Sequence, residues 1–444
     1  MKTYDAYKES DILGVNKVPK DWKVVNFRYL IDVLTDFTAN GSFGDLAKNV
    51  NYLEEGVSRL VRLTDLRADF KNKGIYLNEA SHNYLKKSEL FGGEILLANV
   101  GAYAGLAWIY EGIEGKASLG PNMFLLKFKD VLDKRFAYIS LTSFYLHSQL
   151  LDKATSSAQP KLNKEDVKSC VFILPTLKEQ TQIANYLDHK TAIIDALIEK
   201  KELLIQKLQA QRQAIINEAV TKGLNPNAKM KDSGIEWLGE IPKHWAAKRL
   251  KFIFKIQKRI AGELGYDILS VTQRGLKVKD ISNYKGQFSM DYSKYQIVNE
   301  GDFVMNHMDL LTGYIDISKQ TGVTSPDYRV FELIEEKCNP QYFLYISQLC
   351  YKEKIFYSHG QGVSQLGRWR LQAKEFNNMT FPFPSFEEQK EIADYISLNT
   401  KIMDKVLVET EKSIKKLKAY RQSIISEAVT GKIDVRDWQQ KKIN

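Results

Sequence analysis

Two polar loops carry the side chains best suited to chemistry on a partner molecule. One runs Thr155-Ser156-Ser157-Ala158-Gln159-Pro160-Lys161-Leu162. The other runs Ser358-His359-Gly360-Gln361-Gly362-Val363-Ser364-Gln365, with Arg368 and Arg370 close behind. Amides, hydroxyls and cationic groups of this kind hydrogen-bond base edges or hold phosphates. Each loop follows a Gly-punctuated stretch, Asn99-Val100-Gly101-Ala102-Tyr103-Ala104-Gly105 or Asn306-His307-Met308-Asp309-Leu310-Leu311-Thr312-Gly313. The candidate nucleic-acid contacts are therefore Asn99, Tyr103, Ser156, Ser157, Gln159 and Lys161 in the first set. In the second they are Asn306, His307, Gln361, Gln365, Arg368 and Arg370. Surface loops are polar in most proteins, and an arginine here could instead pair with a nearby acid such as Glu375.

Catalytic chemistry is not legible. The chain has no Gly-x-x-x-x-Gly-Lys-Ser/Thr phosphate loop. Its six histidines and three cysteines make no metal-ligand spacing. No Ser/His/Asp arrangement can be argued from spacing. Asn225-Pro226-Asn227-Ala228 lacks an aromatic residue that could stack on a flipped base, and it reads as a helix stop. Cys170, Cys338 and Cys350 are scattered and odd in number, which suits buried apolar thiols in a reducing compartment.

The bulk numbers admit a globular DNA partner. At 444 residues and 44% hydrophobic, the chain can hold two or three domains with their own cores. No apolar run approaches the roughly 18–20 residues that span a membrane. The start, MKTYDAYKESD, lacks the apolar core of a signal peptide, so a cytoplasmic location is expected. The net charge is +10. Residues 178–222 and 387–432 each contribute only +1, so the remaining +8 lies elsewhere. A basic surface of this kind points first to a polyanion.

What must position the loops is a scaffold that occurs twice. Residues 174–221 and 383–430 align without a gap at an offset of 209, with 22 identities in 48 positions. A shorter echo, Val18-Pro19-Lys20-Asp21-Trp22 and Ile241-Pro242-Lys243-His244-Trp245, recurs at an offset of 223. The order is thus domain, helix, domain, helix, a tandem duplication. In each copy apolar residues recur at alternating steps of four and three. They are Leu187, Ile194, Ile198, Ile205, Leu208 and Ile215, then Ile396, Met403, Leu407, Ile414, Leu417 and Ile424. This is a coiled-coil seam. At 1.5 Å per residue, some 45 residues make a rod of roughly 65 Å. One copy is expected to pair with the other, antiparallel and within the chain; intermolecular zippers are the alternative. Arg212 and Arg421 fall on the seam line, where the simplest expectation is that their stems are buried and their heads reach water; the alternative is that they set register or bind another subunit.

Between the helices the chain reads as mixed α/β. Strands are expected at Val57–Leu63, Gly93–Ala98, Tyr266–Val271 and Gly301–Met305, and helices over 133–153 and near 340–354. The fold class is α+β, with two mixed domains joined by two long helices in a pseudo-twofold tandem repeat. The segments are 1–175, 176–228, 229–384 and 385–444.

These residues resemble a known family, the specificity subunits of type I restriction-modification systems. The resemblance rests on Leu174-Pro175 with Lys178-Glu179-Gln180 and Ile183-Ala184, and on Phe383-Pro384 with Glu387-Glu388-Gln389 and Ile392-Ala393. It rests also on the helix endings Arg212-Gln213-Ala214-Ile215-Ile216 and Arg421-Gln422-Ser423-Ile424-Ile425, on the stretch from Asp232 to Pro242, and on the loop Ser156–Leu162. The second half departs from that loop, with Gln361-Gly362-Val363-Ser364-Gln365-Leu366-Gly367 instead. The resemblance implies two target-recognition domains reading the halves of a split double-stranded DNA sequence, with the helices as a ruler. It implies two methyltransferase (M) subunits as partners, and restriction (R) subunits through the complex. S-adenosylmethionine, ATP and Mg2+ would belong to those partners, with no cofactor and no catalysis in this chain. The competing classes are a stand-alone DNA-modifying enzyme, which lacks a legible cofactor motif, and a coiled-coil adaptor, which would not need the basic variable segments.

Overall fold

The computed structural model describes residues 2–154, 159–273, 275–279, 291–362 and 369–440. The chain forms two compact units, and the division cuts both long helices near their middles. Unit one is Met1–Lys201 with Lys412–Asn444; unit two is Glu202–Glu411. Among the described residues no helix is long and apolar enough to cross a membrane.

The two units use one plan. Unit one opens with the antiparallel hairpin Tyr7–Ile12 and Val15–Pro19; unit two opens with Met230–Asp232 and Glu240–Pro242. The tryptophan of each short repeat then plugs its unit. Trp22 and Trp245 are both 1% exposed. Their carbonyls accept from Lys8 Nζ (2.5 Å) and Lys231 Nζ (2.6 Å), residues also related by the 223 offset. Next, Lys23–Asn26 pairs with Val171–Leu174, as Ala246–Arg249 pairs with Thr380–Phe383.

A four-stranded antiparallel sheet forms each centre. Its order in unit one is Ile31–Asp36, Met123–Phe128, Glu94–Ala98, Ala107–Tyr110. In unit two it is Phe254–Gln257, Arg329–Leu333, Phe303–Met305, Ile315–Ile317. The strands expected from Gly93 and Gly301 both open on glycine followed by an acid, Glu94 or Asp302, and that acid has a structural use. Buried Glu94 accepts from the amides of Phe91 (3.1 Å) and Gly92 (2.8 Å), and buried Asp302 accepts from Asn299 N (2.7 Å), so each acid folds the turn that enters the strand. The second layers differ. Unit one has four strands with Ser58–Val61 parallel to Lys116–Leu119, whereas among the described residues unit two has two separate two-stranded sheets. The helix expected over 133–153 is two helices, Lys134–Thr142 and Phe144–Lys153. Ser143 between them is extended (φ −77°, ψ 155°), and its buried hydroxyl donates to Ser140 O at 2.6 Å, an interruption that apolar spacing does not reveal.

The long helices run Leu177–Lys222 and Phe386–Val429. Their shared Glu-Gln motif is a clamp. Gln180 is fully buried; its Oε1 accepts from Asp133 N (2.8 Å), and its Nε2 donates to Val131 O (3.0 Å) and Pro175 O (3.0 Å). Gln389 repeats this with Asn339 N (2.8 Å), Lys337 O (3.3 Å) and Pro384 O (3.0 Å). One amide thus ties the first turn of the long helix to the start of a domain helix, since Asp133 and Asn339 are those helices' N-caps.

Within each unit the two helices lie antiparallel, and the seam residues are what they bury. Leu187, Ile194, Ile198, Ile396, Ile414 and Ile424 are buried. Ile205, Leu208, Ile215, Met403, Leu407 and Leu417 are half-buried. Off the seam, Leu398 and Ile402 are 64% and 60% exposed. The seam arginines do more than reach water. Arg421 Nε meets Asp195 Oδ1 at 2.8 Å in unit one, and Arg212 Nε meets Asp404 Oδ1 at 3.2 Å in unit two. The 209 offset exchanges the two pairs, carrying Asp195 onto Asp404 and Arg212 onto Arg421. Each arginine therefore keeps its head part-exposed at the surface, as expected, and there pairs with an aspartate of the other helix. The aspartates sit off the apolar seam, so heptad reading passes over them.

Candidate nucleic-acid interface

The strands that leave each central sheet deliver the predicted loops. In unit one the chain after Ala98 is zipped to the loop after the second domain helix. Gly101 N donates to Pro160 O (2.8 Å), and Leu162 N donates to Asn99 O (2.8 Å). In unit two Leu371 N donates to His307 O (3.0 Å), and Leu310 N donates to Trp369 O (3.3 Å). The buried leucines Leu162 and Leu371, 1% and 0% exposed, anchor the ends of these loops. Lys161 and Arg370 immediately precede them and are exposed. Two loops far apart in sequence thus meet in each unit, and a cation takes the same backbone position in both.

Local chemistry shapes the Gly-punctuated stretches. Gly105 has φ +87°, a side chain there would meet His147 Nε2 at 3.4 Å, and its N–H returns to Ala98 O (2.8 Å). In unit two Asp309 organises the turn by accepting from the amides of Leu311 (3.1 Å) and Thr312 (2.9 Å). Gly313 closes it, because a Cβ would lie 2.0 Å from Asp309 O.

The predicted contacts fall into distinct environments. Gln159, Lys161, Gln361 and Arg370 are exposed; Tyr103, Asn306 and His307 are half-buried. Gln361 and Arg370 exchange backbone hydrogen bonds at 2.9 and 3.0 Å, and Gln361 Oε1 accepts from Gln372 Nε2 at 3.0 Å. Asn306 O accepts from Tyr351 Oη. Asn99 is buried, at 8% exposed. Ser156, Ser157, Gln365 and Arg368 lie outside the described residues. Register makes Asn99 and His307 equivalents, since each offers its carbonyl to the anchoring leucine. Each also carries a buried polar atom without a partner, Asn99 Oδ1 and His307 Nδ1. Burial and the charges of Arg329 and Arg370 push the His307 imidazole down to about 3, so it is neutral near pH 7.

Further charged groups here escaped the sequence reading. Arg67 is exposed and its guanidinium lies 4.1 Å from the centre of the Tyr103 ring. Behind it, the fully buried Asp65 carboxylate takes hydrogen bonds from Arg62 N (2.8 Å), Arg62 Nε (3.0 Å), Asn72 Nδ2 (3.0 Å) and Arg59 Nη2 (3.2 Å). Burial alone would raise its pKa, but those hydrogen bonds outweigh it and the net shift is downward. In unit two, Arg329 is buried on a central strand. The available signal was a charge inside the strand Arg329-Val330-Phe331-Glu332-Leu333. Among the described residues no group of three or more His, Cys, Asp or Glu side chains could hold a metal ion. The arrangement provides two cationic, amide-rich loop clusters on matching scaffolds with unlike side chains.

Comparison with known proteins places this geometry. The family model of the type I restriction modification DNA specificity domain matches residues 19–207 and again 242–416. The chain is 25% identical to the type I restriction enzyme MjaVIII specificity subunit of Methanocaldococcus jannaschii, over 97% of this chain and 98% of that protein. It is 23% identical to the EcoBI specificity subunit of Escherichia coli, over 96% and 89% respectively. Among solved structures it is similar to a chain from work on complex assembly and conformational transition of the type I R-M system, with TM-score 0.67, 14% identity, and 94% and 99% coverage. It is also similar to the HsdS subunit of Thermoanaerobacter tengcongensis, with TM-score 0.53, 14% identity, and 95% and 99% coverage.

Proposed function

Because the chain belongs to the family of type I restriction-modification DNA specificity domains, we propose that it reads a bipartite double-stranded DNA target, one half-site per unit. In this reading the loop cluster around Lys161 contacts one half and the cluster around Arg370 contacts the other. The two long helices hold the clusters at a fixed spacing and scaffold methyltransferase subunits, two per chain, with restriction subunits joining through the complex. The chain itself is non-catalytic and works in the cytoplasm. S-adenosylmethionine, ATP and Mg2+ act on the partner subunits.

One observation carries this reading. The same backbone device, a cation before a buried leucine zipped to the exit of a central strand, occurs in both units with different surrounding side chains. A single-site enzyme has no need of two such clusters, whereas a reader of two unlike half-sites does. Half-sites on one DNA face lie roughly 34 Å apart or more, a distance that two helices of 46 and 44 residues can span. The test is a gel-shift selection from a random DNA library with methyltransferase subunits present. Enrichment of two short motifs with a constant gap is expected. Enrichment of one continuous motif, or of none, would refute the proposal.

A further inference from the structure

In unit two a buried cation has no counter-ion among the described residues. Arg329 is 6% exposed. Its Nη2 donates to Leu371 O at 2.9 Å, its guanidinium lies 5.1 Å from the centre of the Phe376 ring, and its Nη1 is buried without a partner. Among the described residues no carboxylate pairs with it, and burial lowers its pKa to about 10, which leaves it charged near pH 7. Leaving such a group unpaired opposes folding. The scaffold does not require a cation here. Arg329 pairs across the sheet with Met305 as Phe124 pairs with Leu97, and Phe124 is a buried hydrocarbon.

The surroundings say what would complete the group. Leu371, whose carbonyl Arg329 holds, directly follows exposed Arg370, and both arginines act on the half-buried His307, whose Nδ1 is also unpartnered. Buried Arg329, exposed Arg370 and one neutral imidazole thus share this corner of the loop cluster. We propose that Arg370 and Arg329 seat a backbone phosphate of bound DNA on unit two, Arg370 by contact and Arg329 through its field across the low-dielectric wall. This rests on the DNA-reading function above. A base edge is the poorer occupant, because a guanidinium 6% exposed cannot enter a groove to read one. A phosphate needs only to approach the surface. Unit one has Phe124 at the register position of Arg329, so the seat belongs to one half-site only.

The assembled complex with methyltransferase subunits is titrated with DNA at several salt concentrations. Arg329→Met, Arg329→Lys and Arg370→Met are compared with the parent, and thermal melting checks folding. The seat predicts that Arg329→Met and Arg370→Met bind every sequence roughly tenfold more weakly. The slope of log affinity on log salt should fall by about one. Arg329→Lys loses the arginine geometry at Leu371 and restores charge only when the buried ammonium is protonated, so its slope should return toward the parent's as the titrations are moved from about pH 8 to about pH 6. A folded Arg329→Met with parental affinity and slope overturns the proposal, as does a loss confined to one base pair. If Arg329→Met melts early, Arg370→Met decides, and an unchanged slope there overturns the seat. Failure of the parent complex to bind DNA specifically would count against the proposed function instead.

Discussion

Lengthening both long helices should widen the gap in the DNA target by a calculable amount. Seventeen residues separate Asp195 from Arg212, and seventeen separate Asp404 from Arg421, about 25 Å of helix between the reciprocal ion pairs. Inserting one heptad into each of these stretches adds about 10.5 Å and leaves the apolar seam nearly in phase. At about 3.4 Å per base pair this is a gap some three base pairs longer. Lengthening one helix alone is a different perturbation. One of the two Arg–Asp pairs must then slip by seven residues, and the seam beside it loses its register. Each exposed pair contributes only about 0.2–1 kcal/mol, so most of the loss comes from burying Ile194, Ile198 and Ile414 against the wrong neighbours. The assay is methylation mapping in cells carrying the doubly or singly lengthened chain with its methyltransferase. The double insertion should methylate the same two half-sites across a longer gap, and the single insertion should lose most activity. An active double insertion with the parental gap would refute the ruler.

Further expectations follow from particular groups. Gln389→Glu places an acceptor against Lys337 O and Pro384 O. Its carboxyl pKa should rise, so the variant should be stable near pH 4 and lose about 2–4 kcal/mol as pH rises toward 7; pH-independent melting would contradict the clamp. Asp195→Arg sets two cations face to face and should lower the melting temperature of unit one, while adding Arg421→Asp should restore it. No recovery in the double variant would mean that the pair does not act in register. Asp65→Asn should cost about 3 kcal/mol by leaving Arg59 and Arg62 without their buried partner. Because the folded Asp65 pKa lies below its ordinary value, the stability that group supplies should be present above about pH 4 and be lost as pH falls further. Acid titration of Asp65→Asn against the parent checks this, and identical acid profiles would contradict it.

The parts legible in the sequence are those where one residue type has one physical use. Seam residues such as Ile194 and Ile414 repeat at coiled-coil spacing because nothing else tolerates that stripe, and they are buried. The strands expected from Gly93 and Gly301 were legible, and the buried acid that follows each glycine folds the turn into them. The fold class, the tandem repeat and the family resemblance all stand on such residues. The parts not legible depend on partners distant in sequence. Asp404 looks like an ordinary exposed acid until Arg212 is placed beside it. Ser143 interrupts a helix through its own backbone geometry, within a stretch whose apolar spacing is unbroken. Asn99 reads as a polar loop residue, yet its place at the end of a central strand buries it. Arg67 is unremarkable until the fold lays it on Tyr103. Arg329 shows as a charge in a strand, but only the register with Phe124 shows that the scaffold does not need it.

The most direct test of the central claim exchanges residues 243–384 for the corresponding segment of another family member, followed by methylation mapping with the same methyltransferase subunits. Two units reading independent half-sites on one helical scaffold predict that one half of the target changes while the other half and the gap remain as they were. Both halves changing together, or neither changing, would contradict the account.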